Sequence, residues 1–402
     1  MSSRGKRSRW VGGVIALTFL VVFSSSAITS GAASTKAQSS RYLRVGLFDD
    51  GHVLFGVRST FFPVLKQSHA QILRVTLWWY APGPIAVAPK RPASPTDPAD
   101  PAYNWTIYDD VVKRAAKSGE QVLFSIVGTP PWANQGKGWN VAPTNAGDLR
   151  AFAAAAATRY GGSFDDENGD PFARVSLWTA WNEPNSPVFL RPQYVRDARE
   201  HSGWAIQSAR DYARICNAVV QGVKQAQHSA KVACGVTAPR GNNNPTSSRP
   251  SVSPLAFARA LKKAGATGFD AYAHHPYPGS PSETPTTPPP PAANGQPATA
   301  VTMGNINDLI DEVTRLFGNK RIWITEYGYQ TNPTDTVAGV PWKKQAEYLQ
   351  QSIAMARANK RIDMFIWFLL IDETRNDGWQ SGLIGSDLVK KPSFQAFQRA
   401  AG

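Results

Sequence analysis

Eight short apolar runs, each separated from the next by a longer stretch, leave this chain few ways to fold. Strand-like runs occupy Leu43–Phe48, Ile72–Trp78, Gln121–Val127, Val175–Trp181, Lys231–Val236, Phe269–Ala273, Arg321–Thr325 and Ile362–Leu369. Helical patterns lie between them at Trp105–Lys117, Asn145–Tyr160, Asp211–Gln227, Ser253–Ala264, Asn305–Phe317 and Trp342–Asn359. The run Ala153–Ala157 supplies a strong helix-forming centre to one of these. Strands alternating with helices pair in parallel, and eight of them predict an α/β fold of the closed (β/α)8 type, a TIM barrel, in one domain over residues 42–401. An open doubly wound sheet usually carries a Gly-rich turn after its first strand, whereas this chain has Asp49-Asp50-Gly51 there.

Proline marks where the helices cannot be. Pro82–Pro101, Pro239–Pro254 and Tyr277–Ala300, the last with Pro288 to Pro291 in succession, follow strands two, five and six. They read as insertions on the strand-to-helix side, the face on which such barrels build their sites. They stand there as a cleft wall or lid, or as tolerated loops.

Two carboxylates end apolar strands at that face. Glu183 closes Val175-Ser-Leu-Trp-Thr-Ala-Trp-Asn-Glu-Pro184, and Glu326 closes Arg321-Ile-Trp-Ile-Thr-Glu-Tyr-Gly328. Burying an ionisable group is costly, so a glutamate where an apolar strand stops belongs at a polar mouth. The two lie 143 residues apart, against roughly 90–100 for three average strand–helix units. The proline-rich segments account for most of the excess. In a barrel the ends of strands four and seven face one another, and paired carboxyls across a mouth are the minimum equipment for breaking a glycosidic bond with retention. Mutual repulsion and partial burial hold one proton between such a pair. Asn182 stands ready to bond a sugar hydroxyl, Pro184 stops the strand, and Gly328 offers a flexible exit.

Around these residues the chain, from about residue 42 to 400, resembles the clan-A retaining glycoside hydrolases, chiefly families 39 and 5. Trp181-Asn-Glu-Pro184 is similar to the clan's acid/base motif, which implies Glu183 as proton donor and Asn182 as its substrate-binding neighbour. Thr325-Glu-Tyr-Gly328 is similar to the nucleophile motif, which implies Glu326 as the attacking group. Arg74 matches a strand-two arginine that orients the nucleophile. His275 and Tyr277, in His274-His-Pro-Tyr277, match positions that bond substrate and nucleophile. Trp367 matches an aromatic sugar platform, and Gly128-Thr-Pro-Pro-Trp-Ala133 is also characteristic of such chains. Many family 5 members carry a histidine near the end of strand three, where this chain has Val127-Gly128-Thr129. The resemblance therefore leans to family 39.

Other residues compete for roles. Two of Trp78, Trp79 and Trp132 are expected to line the cleft. Asp49, Asp50, Asp372 and Glu373 also end strands and rival the named pair. His274 and His275 point to opposite faces of a strand, so only one serves the site. No cofactor motif is present, and with six histidines, two cysteines and no His-Glu-x-x-His no metal site is expected.

Arg4, Lys6, Arg7 and Arg9 precede a mostly apolar run, Val11–Phe23, and then small residues to Ser34. This predicts an export signal over residues 1–33 and a secreted protein. A run of thirteen residues falls short of the roughly 20 that span a bilayer, so an uncleaved anchor is the lesser alternative. Removing the signal lowers the net charge from +14 to +10. That charge describes a basic surface or attraction to anionic polymers. No basic cluster interleaved with aromatics suggests nucleic acid, and oligomeric state has no signal. Cys216 and Cys234 fall on an adjacent helix and strand, either bridged or as buried thiols. The expected partner is an oligo- or polysaccharide, β-linked and hydrolysed. A silent carbohydrate-binding barrel is the alternative, and an esterase or peptidase lacks the Gly-x-Ser-x-Gly elbow.

Overall fold

The computed structural model describes residues 43–291, 298–375 and 377–402. The expected export signal lies outside them. Eight parallel strands close a barrel: β1 (Arg44–Phe48), β2 (Ile72–Trp78), β3 (Gln121–Val127), β4 (Leu177–Ala180), β5 (Lys231–Thr237), β6 (Ala271–His274), β7 (Arg321–Tyr327) and β8 (Ile362–Phe368). Each strand pairs with its neighbours in sequence, and β8 returns to β1. This is the (β/α)8 barrel that the alternation predicts. The longer helices are α1 (Arg58–Ser68), α2 (Thr106–Ser118), α3 (Ala146–Arg159), α4 (Gln207–Ala226), α5 (Pro254–Lys263), α6 (Ile306–Phe317), α7 (Trp342–Ala358) and α8 (Pro392–Ala401), and a short helix, Asp50–Leu54, capped by Asp49, follows β1. Helices α1 and α8 go beyond the sequence reading, and each carries a proline. In α8 it is the first residue, where no N–H is needed, while Pro63 lies within α1.

Alternation along the strands builds two cores. Ile72, Leu123, Leu177, Ala271, Trp323, Met364 and Ile366 fill the barrel's interior. Residues of opposite parity, among them Val75, Phe124, Trp178 and Phe365, pack outward against the helices. Above the apolar interior the inward side chains turn polar. Arg74 Nε donates to Ser125 Oγ at 2.9 Å, and Thr179 Oγ1 lies 2.7 Å from the same oxygen. Cys216 of α4 and Cys234 of β5 form a disulfide, with Cα atoms 5.9 Å apart.

Two irregularities shape the mouth. Between Ile324 and Tyr327 strand β7 advances three residues while β8 advances two, from Phe365 to Trp367. This bulge reverses parity, so Thr325 and Glu326 both face inward and Tyr327 packs outward against Phe365 and Trp367. Strand β5 has a similar slip at Val236, whose φ is 46°. Beyond β8, the segment to α8 is anchored by a buried ion pair. Lys391 Nζ lies 2.6 Å from Asp372 and 2.8 Å from Thr331 Oγ1. Among the described residues no helix is long and apolar enough to cross a membrane.

Candidate active site

After Ala180 the chain leaves β4 through two residues in the left-handed region, Trp181 (φ 67°) and Glu183 (φ 37°). Side-chain-bearing residues adopt that region at a cost, which the surroundings must offset. Here the Trp181 N–H donates to the Ile126 carbonyl at 2.8 Å and the Glu183 N–H to the Val236 carbonyl at 2.9 Å. Asn185, fully buried, accepts from the Ala238 N–H and donates to the Val252 carbonyl. These bonds tie the turn to β3, β5 and the loop beyond β5, and aim Glu183 over the barrel.

Glu326 reaches the same space from the β7 bulge. Arg74, completely buried, donates to its Oε1 at 2.6 Å, and the Tyr277 hydroxyl donates to Oε2 at 3.2 Å. The same guanidinium bonds the Thr325 carbonyl at 2.9 Å and Asn182 Oδ1 at 2.7 Å. One arginine thus sets both strand-end motifs relative to each other. Oxygens of Glu183 and Glu326 lie within 4.8 Å.

His275 sits between the two carboxylates. Its Nδ1 is 2.9 Å from Glu183 Oε1 and 3.6 Å from Glu326 Oε1, while Nε2 is 3.0 Å from Thr325 Oγ1. Burial lowers its pKa to about 3, against the pull of Glu326, so the imidazole is neutral. A neutral ring can donate Nε2–H to Thr325 and accept a proton-bearing Glu183 through Nδ1. Burial lifts Glu183 to about 7, and the opposing influence of Arg74 is smaller. The two carboxyls therefore have different surroundings: Glu326 is in an ion pair, and Glu183 rests against a neutral ring. His274 faces away, bonded to Thr237 Oγ1 and the Val301 carbonyl.

Both glutamates, Asn182 and Tyr277 open onto a cavity of about 630 Å3. That volume is within the usual range for small-molecule sites, about 300–1,000 Å3. Trp78 lines it. Trp79 and Trp132 do not: Trp79 is buried beside Phe152, and Trp132 donates its indole N–H to the Ala88 carbonyl. The expectation that Trp367 forms the platform is also corrected. Paired with Leu47, it points outward, wholly buried, with its indole N–H on the Ser381 carbonyl. The aromatic faces on this side of the cavity come instead from Phe368, one residue on, and from Trp379, with ring centroids 5.3 Å apart, alongside Phe48, Trp78, Phe189, Tyr277 and Tyr329 elsewhere in the lining. Trp379 lies in the segment beyond β8, outside any motif, and nothing in the sequence marks it; in the structure it is 44% exposed.

Of the rival carboxylates, Asp50 and Glu373 line the cavity. Asp49 is consumed by the His52 and Ile371 N–H groups, and Asp372 by Lys391. Among the proline-rich segments, the second contributes Pro239 and the third Pro278, Gly279 and Ser280. The first packs beneath Trp132. Gly328 is no flexible exit, since a Cβ there would lie 2.5 Å from the Phe368 carbonyl oxygen. Among the described residues, Glu183, His275 and Glu326 are the cluster with donors near enough to share a metal ion. The Arg74 guanidinium on Glu326 already supplies the positive charge that an ion would bring.

The family described as "Family of unknown function (DUF5722)" matches residues 110–401. No curated protein matches the chain. Three solved structures similar to it are a family 39 glycoside hydrolase from Bacteroides cellulosilyticus WH2, a glucosidase from Croceicoccus marinus and a monomeric β-xylosidase from Caulobacter crescentus CB15. Identities are 20%, 18% and 14%, and TM-scores 0.60, 0.62 and 0.56. The alignments cover 91%, 90% and 90% of this chain, but 64%, 68% and 68% of those proteins. At such identities the likeness establishes a shared barrel fold, as the motif resemblance implies.

Proposed function

The chain belongs to the DUF5722 family, whose function is unknown, and we propose that it is a retaining glycoside hydrolase acting on a β-linked oligo- or polysaccharide. The observation that carries this reading is the separation of the two carboxyls. Oxygens within 4.8 Å of each other fit the roughly 5–5.5 Å of retaining enzymes better than the about 6.5–9.5 Å across which inversion places a water.

Glu326, aligned by Arg74 and Tyr277, attacks the anomeric carbon. Glu183, protonated below about pH 7, delivers its proton to the leaving oxygen as that bond breaks. The resulting ester between Glu326 and the sugar is then cleaved by water, whose proton returns to Glu183. Asn182 lines the cavity beside the reacting centre and, held by Arg74, can donate its amide N–H to a sugar hydroxyl. Export is part of the same proposal. The Cys216–Cys234 bridge supports it, because disulfides persist mainly in oxidising compartments.

The test is release of sugar from a panel of polysaccharides and aryl glycosides, with Glu326→Ala alongside. Turnover by the wild type alone, with the β anomer as first product by NMR, is the expected result. An α product from β-glycosides, or undiminished turnover by Glu326→Ala, would refute the proposal. Binding without turnover would leave a silent carbohydrate-binding barrel.

A further inference from the structure

The cavity holds a carboxylate that the reaction above does not use. Strand β1 stops pairing with β2 at Phe48 and Arg74, so the N–H of Thr76, two residues on, has lost its strand partner. Asp50 takes it over, with Oδ1 3.1 Å from the Thr76 nitrogen. Bonds from Thr76 alone, its N–H and its hydroxyl, leave roughly half of a carboxylate's accepting capacity free, and Asp50 shares the cavity lining with Glu183 and Glu326.

The charge of the lining is as telling. Asp50, Glu183, Glu326 and Glu373 all contribute to it, and among the described residues no Lys, Arg or His does. Arg74, just beneath, has four of its five N–H donors committed to Glu326, Thr325, Asn182 and Ser125. Burial lifts the Asp50 carboxyl to about 7, as it does Glu183. A space that disfavours its own negative charges disfavours an incoming one too, and it offers no cation in return.

We propose that Asp50 is a substrate-positioning residue whose carboxyl bonds hydroxyls of the sugar seated against Glu326, and that this sugar is uncharged, not a uronic acid. The inference rests on the hydrolase reading and narrows its substrate class. It also overrules, for the cavity, the attraction to anionic polymers that the chain's net charge of +14 suggests, because that positive charge lies elsewhere.

The experiment compares matched 4-nitrophenyl β-glycosides, glucoside against glucuronide and galactoside against galacturonide, with wild type and Asp50→Asn. Binding of the corresponding neutral and uronic oligosaccharides is followed in parallel by tryptophan fluorescence. Asparagine keeps an oxygen for the Thr76 N–H, so the variant should keep its melting temperature. The expected result is an uncharged substrate preferred at least roughly 100-fold, with Asp50→Asn raising KM for it roughly 10- to 100-fold. Removing the partner hydroxyl, as a deoxy sugar, should abolish that sensitivity to Asp50→Asn. A uronide accepted as well as its neutral counterpart, or KM unmoved by the substitution, overturns the inference and leaves the hydrolase reading intact. Asp50-dependent binding of neutral glycans without turnover does the reverse. No binding and no turnover with either class overturns both.

Discussion

Arg74 Nη1 lies 2.6 Å from Glu326 Oε1, with the arginine fully buried and the glutamate side chain 10% exposed. The pair joins β2 to β7 across the barrel, and the other guanidinium nitrogens reach Asn182 on the β4 side and Ser125 on β3. Geometry and charge at the site therefore depend on one side chain.

Replacing it by methionine should cost about 3–5 kcal/mol, since breaking a buried pair strands the remaining charge. Turnover should fall by at least roughly 100-fold through misplacement of Glu326. Arg74→Lys should restore little of either, because an ammonium cannot span four acceptors as a planar fork does. Chemical denaturation and kcat read the two effects.

Glu183 predicts the alkaline limb. Its pKa, raised by burial to about 7, means the acid is present below that pH and lost above it. Activity on substrates with poor leaving groups should fall tenfold per pH unit above about 7. Glu183→Gln should remove this limb for activated aryl glycosides, which need less acid assistance. Stability carries the same sign. A carboxyl at about 7 when folded and 4.5 as a free group stabilises the fold fully below pH 4.5, and that contribution is lost as pH rises through 7. The wild type should unfold more easily at pH 8 than at pH 5, and Glu183→Gln should show a shallower slope.

His275 contacts the acid and lies farther from the nucleophile. His275→Ala should therefore lower rates on the order of 100-fold for poor leaving groups and much less for good ones. A uniform loss across leaving groups would show that it acts on Glu326 instead.

Gly328 is needed for space. A methyl at that position would meet the Phe368 carbonyl at 2.5 Å, so β7 and β8 would have to part at the cavity wall. Gly328→Ala should lose about 1–3 kcal/mol of stability by thermal melting, with reduced kcat.

The disulfide lies on the helix-facing side of β5, away from the cavity. Cys216→Ser with Cys234→Ser should lose about 3 kcal/mol, in line with its short enclosed loop, and leave kcat unchanged.

Local chemistry carried much of this protein. The alternation of apolar runs with helical periods is a local property, and so is the cost of burying a carboxylate. Together they located eight strands and the two glutamates at strand ends. What the chain could not reveal locally is which way a side chain faces once neighbours pair. Trp367 looks like a platform in sequence, yet register with Leu47 turns it outward and hands the cavity to Phe368. Glu326 faces inward only because β7 bulges against β8, and Glu183 is aimed by two left-handed residues held from β3 and β5. Trp379 reaches the site because Lys391 and Asp372 anchor a segment that no period describes. Strand existence follows from neighbours along the chain. Parity, bulges and anchoring follow from partners on other strands and segments, Leu47 for Trp367, β8 for the β7 bulge and Asp372 for Lys391, and only tertiary folding brings those together.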